Sequence, residues 1–234
     1  MRKKILEIGC GQGFNAYCLS QRDDIVGIDI SVEDIAVARK RFPGVDYRVM
    51  NMERLEFIDG YFDQIYSLDV LEHVDNLDRV IAEARRVLKP GGKFIINIPY
   101  WKSEQWLLKL RPTYFKEIHH VRIFGENSLE ELLADKKFSL IRKRKTGFLQ
   151  HVFQYYMFKR KQSSKTQLGI GHWRDNWKTK SLYVSLMFFD EQLFRTPVRF
   201  CPLWIITLPI GFLINLFGNI FFPKSLFYEF RKDV

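Results

Sequence analysis

The chain has 234 residues, enough for one α/β domain with an appendage and too few for two full enzyme domains. Its 47% hydrophobic content, with 21 Phe, supports a sizeable core and excludes a disordered chain. The net charge of +10 is uneven: residues 1–100 hold 14 Lys/Arg and 16 Asp/Glu, residues 101–234 the other 23 and 11, so the second part asks for an anionic partner such as a membrane surface or nucleic acid.

In chain order, Lys4–Ile8 reads as a short buried strand ending in a glycine-rich turn, and Asn15–Ser20 as a helix. Ile25–Ile30 is a second apolar strand, and Val32–Arg41 a helix with Ser31 as its N-cap. After the Pro43-Gly44 turn come strands over Asp46–Met50 and Phe62–Ser67. Leu77–Leu88 has helical periodicity, Pro90-Gly91-Gly92 stops it, and Lys93–Ile98 is a fifth strand. Strands alternating with helices over 100 residues predict a parallel sheet covered on both faces. Residues 99–127 read as loop, Ser128–Asp135 as a helix capped by Ser128 with Glu131 three residues on, and Phe138–Lys145 as a strand.

Beyond that the alternation is lost. Residues 148–180 are basic and aromatic, and residues 200–223 contain no charged side chain. Cys10, Cys18 and Cys201 are spaced for neither a zinc site nor a disulfide framework, which predicts a reducing compartment and no metal. No apolar stretch near the N-terminus suits a signal peptide, so a cytoplasmic location is expected.

Gly9, Gly11 and Gly13 follow a strand and open a helix, where the backbone can turn sharply and approach a ligand. Asp29 ends the second strand about 20 residues on, placed to accept ribose hydroxyls. Glu7, just before the glycines, would repel a pyrophosphate and suits a ligand carrying ammonium and sulfonium groups.

The runs LEIGCGQG, GIDIS, NMERLEFIDGYFDQIYSLDVLEHV and RVLKPGGKFIINIP, in this order across residues 4–99, resemble the class I S-adenosylmethionine-dependent methyltransferases, and are most similar to their small-molecule, lipid and quinone branch (methyltransferase type 11-like). A weaker likeness continues to about residue 141. The resemblance implies a Rossmann-like, doubly wound seven-stranded α/β sheet whose last strand is antiparallel, near Leu226–Arg231. It implies S-adenosyl-L-methionine as cofactor and S-adenosyl-L-homocysteine as product. Glu7 would lie near the methionine amino group, and Gly9, Gly11 and Gly13 around the methionine part. Asp29 would hold the ribose and Ile30 pack on the adenine. Asn51 stands where the family usually has Asp, but its carbonyl can accept the same bond from the adenine amino group, with Met52 offering its N–H. Ser67 and Leu68 would border the methyl group.

Methyl transfer from a sulfonium is an in-line displacement that mainly needs alignment, plus a general base where the acceptor is a hydroxyl. His73, His119 and His120 are the candidate bases, each with a packing or solvation role as the alternative.

The expected organisation is a core over 1–147, a mostly helical apolar insertion over 148–223, and a returning strand over 224–234. The uncharged run 200–223 is long enough for a bilayer span, but Pro202, Pro209, Asn215 and Asn219 argue against a straight one. Basic residues flank both ends and Trp204 lies within, which fits in-plane contact with an anionic membrane and hence a peripheral enzyme. A lid, a homodimer contact or a non-catalytic scaffold are the other readings. Nucleic acid is not expected as a partner, because Arg142–Lys145 falls in a strand whose residues alternate faces.

Overall fold

The computed structural model describes residues 1–110, 112–146, 218–220 and 223–234. The expected insertion over 148–223, with its uncharged run, lies almost entirely outside these residues. Seven strands form one sheet: β1 (Lys4–Ile8), β2 (Asp24–Asp29), β3 (Asp46–Val49), β4 (Phe62–Leu68), β5 (Leu88–Pro99), β6 (Phe138–Thr146) and β7 (Ser225–Lys232). Their order is β3-β2-β1-β4-β5-β7-β6. The pairs β1·β2, β1·β4, β2·β3 and β4·β5 are parallel. β7 runs against both neighbours: Glu229 pairs with Lys93 and Lys224 with Tyr100, while Asp233 meets Lys137 and Lys224 meets Thr146. The expected seven-stranded doubly wound sheet with an antiparallel last strand is therefore the observed fold.

Among the described residues the main helices are α1 (Phe14–Ser20), α2 (Val32–Arg41), α3 (Leu77–Val87), α4 (Trp101–Leu110), α5 (Tyr114–Ile118) and α6 (Ser128–Asp135). Alternation along β1 sends Ile5 to the face where Ala16 of α1, Ile35 and Ala38 of α2, Ile25 and Tyr47 form one buried cluster. α3 buries Leu77, Val80, Ile81, Ala84 and Val87, the stripe its period predicts. Ser31 caps α2 as expected, its Oγ accepting the Asp34 N–H at 3.1 Å.

Three local expectations need correction. Residues 99–127 contain α4 and α5 rather than loop alone. β5 starts at Leu88, not Lys93: the register steps from Phe62↔Leu88 to Gln64↔Lys93, so Pro90-Gly91-Gly92 is a bulge within the strand instead of a spacer before it. The cap of α6 is Asn127, because the Ser128 hydroxyl donates back to the Gly125 carbonyl at 3.2 Å rather than accepting a helix N–H.

The chain divides into two compact units, one of Met1–Ile98, Phe124–Lys143 and Phe227–Val234, the other of Pro99–Ile123 and Arg144–Leu226. In the second, the Lys224 N–H donates to the Thr146 carbonyl at 2.8 Å, which brings together the two ends of the stretch 147–223. No helix among the described residues is long and apolar enough to cross a membrane.

Candidate functional site

The chain winds outward from β1 to β3 and then returns to place β4 on the other side of β1. The crevice at the carboxyl ends of β1 and β4 is thus the topological switch point, where open α/β sheets bind ligands. Ile8, Asp29 and Leu68 end β1, β2 and β4 around it.

The glycine turn is fixed from behind. The Cys10 N–H donates to the Ile28 carbonyl and the Gly13 N–H to the Cys10 carbonyl, both at 2.9 Å. Gly13 adopts a left-handed φ of 80° as it enters α1, and the buried Tyr47 hydroxyl donates to its carbonyl at 2.8 Å. A Cβ on Gly13 would lie 2.6 Å from the Tyr47 ring, and one on Gly9 2.4 Å from a Val70 methyl. A Cβ on Gly11 would meet nothing within 4 Å. Two of the three glycines are therefore demanded by packing inside the protein, and Gly11 is the one that faces open space.

Asp29 is held in place by the same turn. Its Oδ2 accepts the Gly11 N–H at 2.8 Å and its Oδ1 the Ser31 N–H at 2.9 Å. A carboxylate has about four acceptor positions, so each oxygen keeps one. Ile30 beside it is 67% exposed, an apolar surface next to a fixed carboxylate.

Glu7 is 3% exposed although charged groups are seldom buried. Its Oε1 accepts from Asn15 Nδ2 at 2.8 Å, and its Oε2 meets no hydrogen-bond partner. Burial pushes its carboxyl up to about 8. Burial also pushes the Cys18 thiol up to about 11 and the Cys10 thiol up as well, so neither is a nucleophile at neutral pH.

The loop after β3 forms a further side. The Met50 N–H donates to the Asp29 carbonyl at 2.9 Å. Asn51 is exposed, and its Oδ1 already accepts the Glu53 N–H at 2.8 Å, leaving one acceptor position on that oxygen. Met52 is half-buried. α3 staples this loop: Arg86 spends five donors on the Leu55 and Phe57 carbonyls, Asp59 and both Glu83 oxygens, while Arg79 reaches the Glu53 carbonyl.

At the end of β4, Ser67 is fully buried and pairs with Ile8 and Ile96, while Leu68 is half-buried. His73 is exposed at the end of a short turn, Leu71–His73, in the same compact unit as the glycines. His119 and His120 belong to the other unit. His119 takes a left-handed φ of 59° after α5. His120 Nδ1 lies 2.8 Å from Glu104 Oε2, with side chains only 8% and 6% exposed, a buried pair that fixes the ring. The structure thus gathers Glu7, the three glycines, Asp29, Ile30, Asn51 and Met52 around the ends of β1–β3. Sequence reasoning missed Tyr47, Val70, Asn15 and Arg86. All four act on the site from behind; Val70 and Arg86 lie within the quoted runs, but nothing in the runs marks them as supports of the site.

Residues 6–96 match the family described as "Methyltransferase domain". The chain is 38% identical over 101 residues to a ubiquinone biosynthesis O-methyltransferase of Pseudomonas aeruginosa, covering 41% of this chain and 44% of that protein. It is 28% identical over 149 residues to phosphoethanolamine N-methyltransferase 3 of Arabidopsis thaliana, covering 58% and 30%. The chain therefore spans less than half the length of these curated relatives. Among solved structures, a SAM-dependent methyltransferase of Methanosarcina mazei is 26% identical with a TM-score of 0.53, covering 62% of this chain and 84% of that one. The fixed glycine turn, the carboxylate at the end of β2 and the sheet order agree with that match, and residues 6–96 belong to the class I S-adenosylmethionine-dependent methyltransferases.

Proposed function

We propose that this protein transfers the methyl group of S-adenosylmethionine to a lipid, quinone-like or lipid-linked acceptor at a membrane surface. The observation that carries the cofactor reading is Asp29, pinned by the Gly11 and Ser31 N–H groups with an acceptor position left on each oxygen, beside open space at Gly11. The donor set fits the ligand: Asp29 for the ribose hydroxyls, exposed Ile30 for the adenine face, and the unpartnered Glu7 oxygen for the positively charged methionine end. The cofactor would supply an already activated methyl group, so these residues need only hold and orient it. His73 is our candidate base for a hydroxyl acceptor, exposed at the end of Leu71–His73, whereas His120 is committed to Glu104.

Support for the acceptor class comes from the uncharged run 200–223 with Arg195, Arg199 and Lys224 around it. The Thr146–Lys224 bond adds to it, since a stretch that returns to its start suits in-plane contact better than a single crossing. One curated relative is named for ubiquinone biosynthesis and another for phosphoethanolamine. The test is incubation with methyl-labelled S-adenosylmethionine and a membrane-containing extract, followed by organic–aqueous partition. Label in the organic phase is expected. Label confined to water would overturn the lipid acceptor and recast the insertion as a lid or dimer contact, and no label in either phase would favour a non-catalytic scaffold.

A further inference from the structure

We propose that Glu7 holds a proton while the site is empty and releases it to solvent when the cationic methionine end of S-adenosylmethionine docks, so that binding exchanges one proton for one ligand. This rests on the cofactor reading above and adds an acid–base step to it. The carboxyl O–H bond breaks, the proton passes to water, and the carboxylate left behind faces the ligand's ammonium and fixed sulfonium charge.

The geometry leads there from the sequence upward. Period-two alternation places Glu7 on the same face of β1 as Ile5, in a position the pattern gives to a core side chain. The carboxyl is buried, one oxygen held by Asn15 Nδ2 with the Ala16 N–H nearby, the other without a hydrogen-bond partner. The titratable groups around it are Cys10 of the turn, Cys18 of α1, Asp29 of β2 and Tyr47 of β3, with Tyr66 its register partner on β4. Each of these is neutral or negative, so none of them stabilises a second anion. A buried acid without a cation keeps its proton, in line with the upward push from burial. An opposite charge arriving within about 4–6 Å reverses that preference. Buried carboxyls of this kind break the local hydrophobic pattern, and such breaks collect at functional sites.

The experiment is titration calorimetry of the full chain with S-adenosylmethionine at about pH 7, in phosphate and in Tris, whose ionisation enthalpies differ. The expected result is a buffer-dependent enthalpy that reports net proton release, fading as pH rises above about 8. Affinity should strengthen by up to about tenfold per pH unit between roughly pH 6 and 7.5. Glu7→Gln should abolish the proton release and flatten the affinity over that range. If that variant does not fold, infrared spectra of wild type with labelled glutamate give the same answer, a protonated-carboxyl band present in the empty protein and lost on binding. Equal enthalpies in both buffers, unchanged release in Glu7→Gln, or a band that survives binding would each overturn the exchange. Absence of any binding heat at all pH values would remove the cofactor reading with it, whereas binding without proton release would remove the exchange alone.

Discussion

The glycine turn and the loop after β3 flank the same strand ends, yet they are built by opposite means. The turn is shaped by the absence of atoms: Val70 and Tyr47 occupy the space that side chains on Gly9 and Gly13 would need. The loop over 51–61 is shaped by the presence of one side chain, Arg86, which satisfies carbonyls that would otherwise be left unpaired. The first therefore breaks when an atom is added and the second when a side chain is removed. Both fix the backbone of the candidate site from behind it.

The largest effect is expected at Gly13. Gly13→Ala forces a Cβ into the Tyr47 ring at a left-handed backbone, a loss of about 3–5 kcal/mol together with cofactor binding, read by denaturant unfolding and calorimetry. Pairing it with Tyr47→Ala, which clears the space, should recover part of the stability; no recovery would mean that the backbone angle alone sets the requirement.

Beneath the turn, Glu7 makes stability depend on pH. Its carboxyl sits near 8 in the folded chain against an ordinary 4.5, so the folded state binds the proton more tightly. This carboxyl's contribution to the stability of the ligand-free protein is full below about pH 4.5 and is lost as pH rises toward 8, roughly 5 kcal/mol in all. A melting temperature that is flat over this window in wild type would refute the assignment, and Glu7→Gln should remove the slope.

The loop side is tested by Arg86→Ala, expected to cost about 2–3 kcal/mol, with lowered cofactor affinity through the released 51–61 segment. Arg86 also holds the Glu83 carboxyl below its ordinary value, so this variant should blunt the loss of stability in acid, where the wild-type pair is protonated apart.

The smallest stability effect belongs to Gly11. Gly11→Ala places its methyl in open space, at about 1 kcal/mol for the left-handed backbone, but should weaken S-adenosylmethionine binding far more than it weakens the fold. Equal losses in both would place Gly11 with Gly9 and Gly13 as a packing glycine.

Much of the parallel half was legible because its signals are local. Buried strands read as short apolar runs, α3 as a 3.6-residue stripe, and Ser31 as a cap, and each pattern is completed within ten residues or so. The glycines and Asp29 were legible as a site because their spacing is itself the motif. Tyr47 and Val70 were not, since their roles arise where β3 and the segment just after β4 meet the glycine turn, contacts between residues far apart in sequence. Pro90-Gly91-Gly92 reads as a break, yet here it is absorbed as a bulge because β4 supplies a partner on both sides of it. α4 and α5 were hidden by short, mixed polar and aromatic sequences whose helical period is weak.

The position of β7 has a consequence for the order of assembly. Among the described residues β6 touches the sheet only through β7, and residues 147–224 separate the two in the chain. During synthesis β6 therefore leaves the ribosome with no partner, an unpaired strand bearing exposed Leu140 and Ile141, and must wait for β7 to arrive. The strands of the parallel half are all made once β5 is complete, whereas β6 and β7 pair across a long chain separation, a contact of high sequence distance.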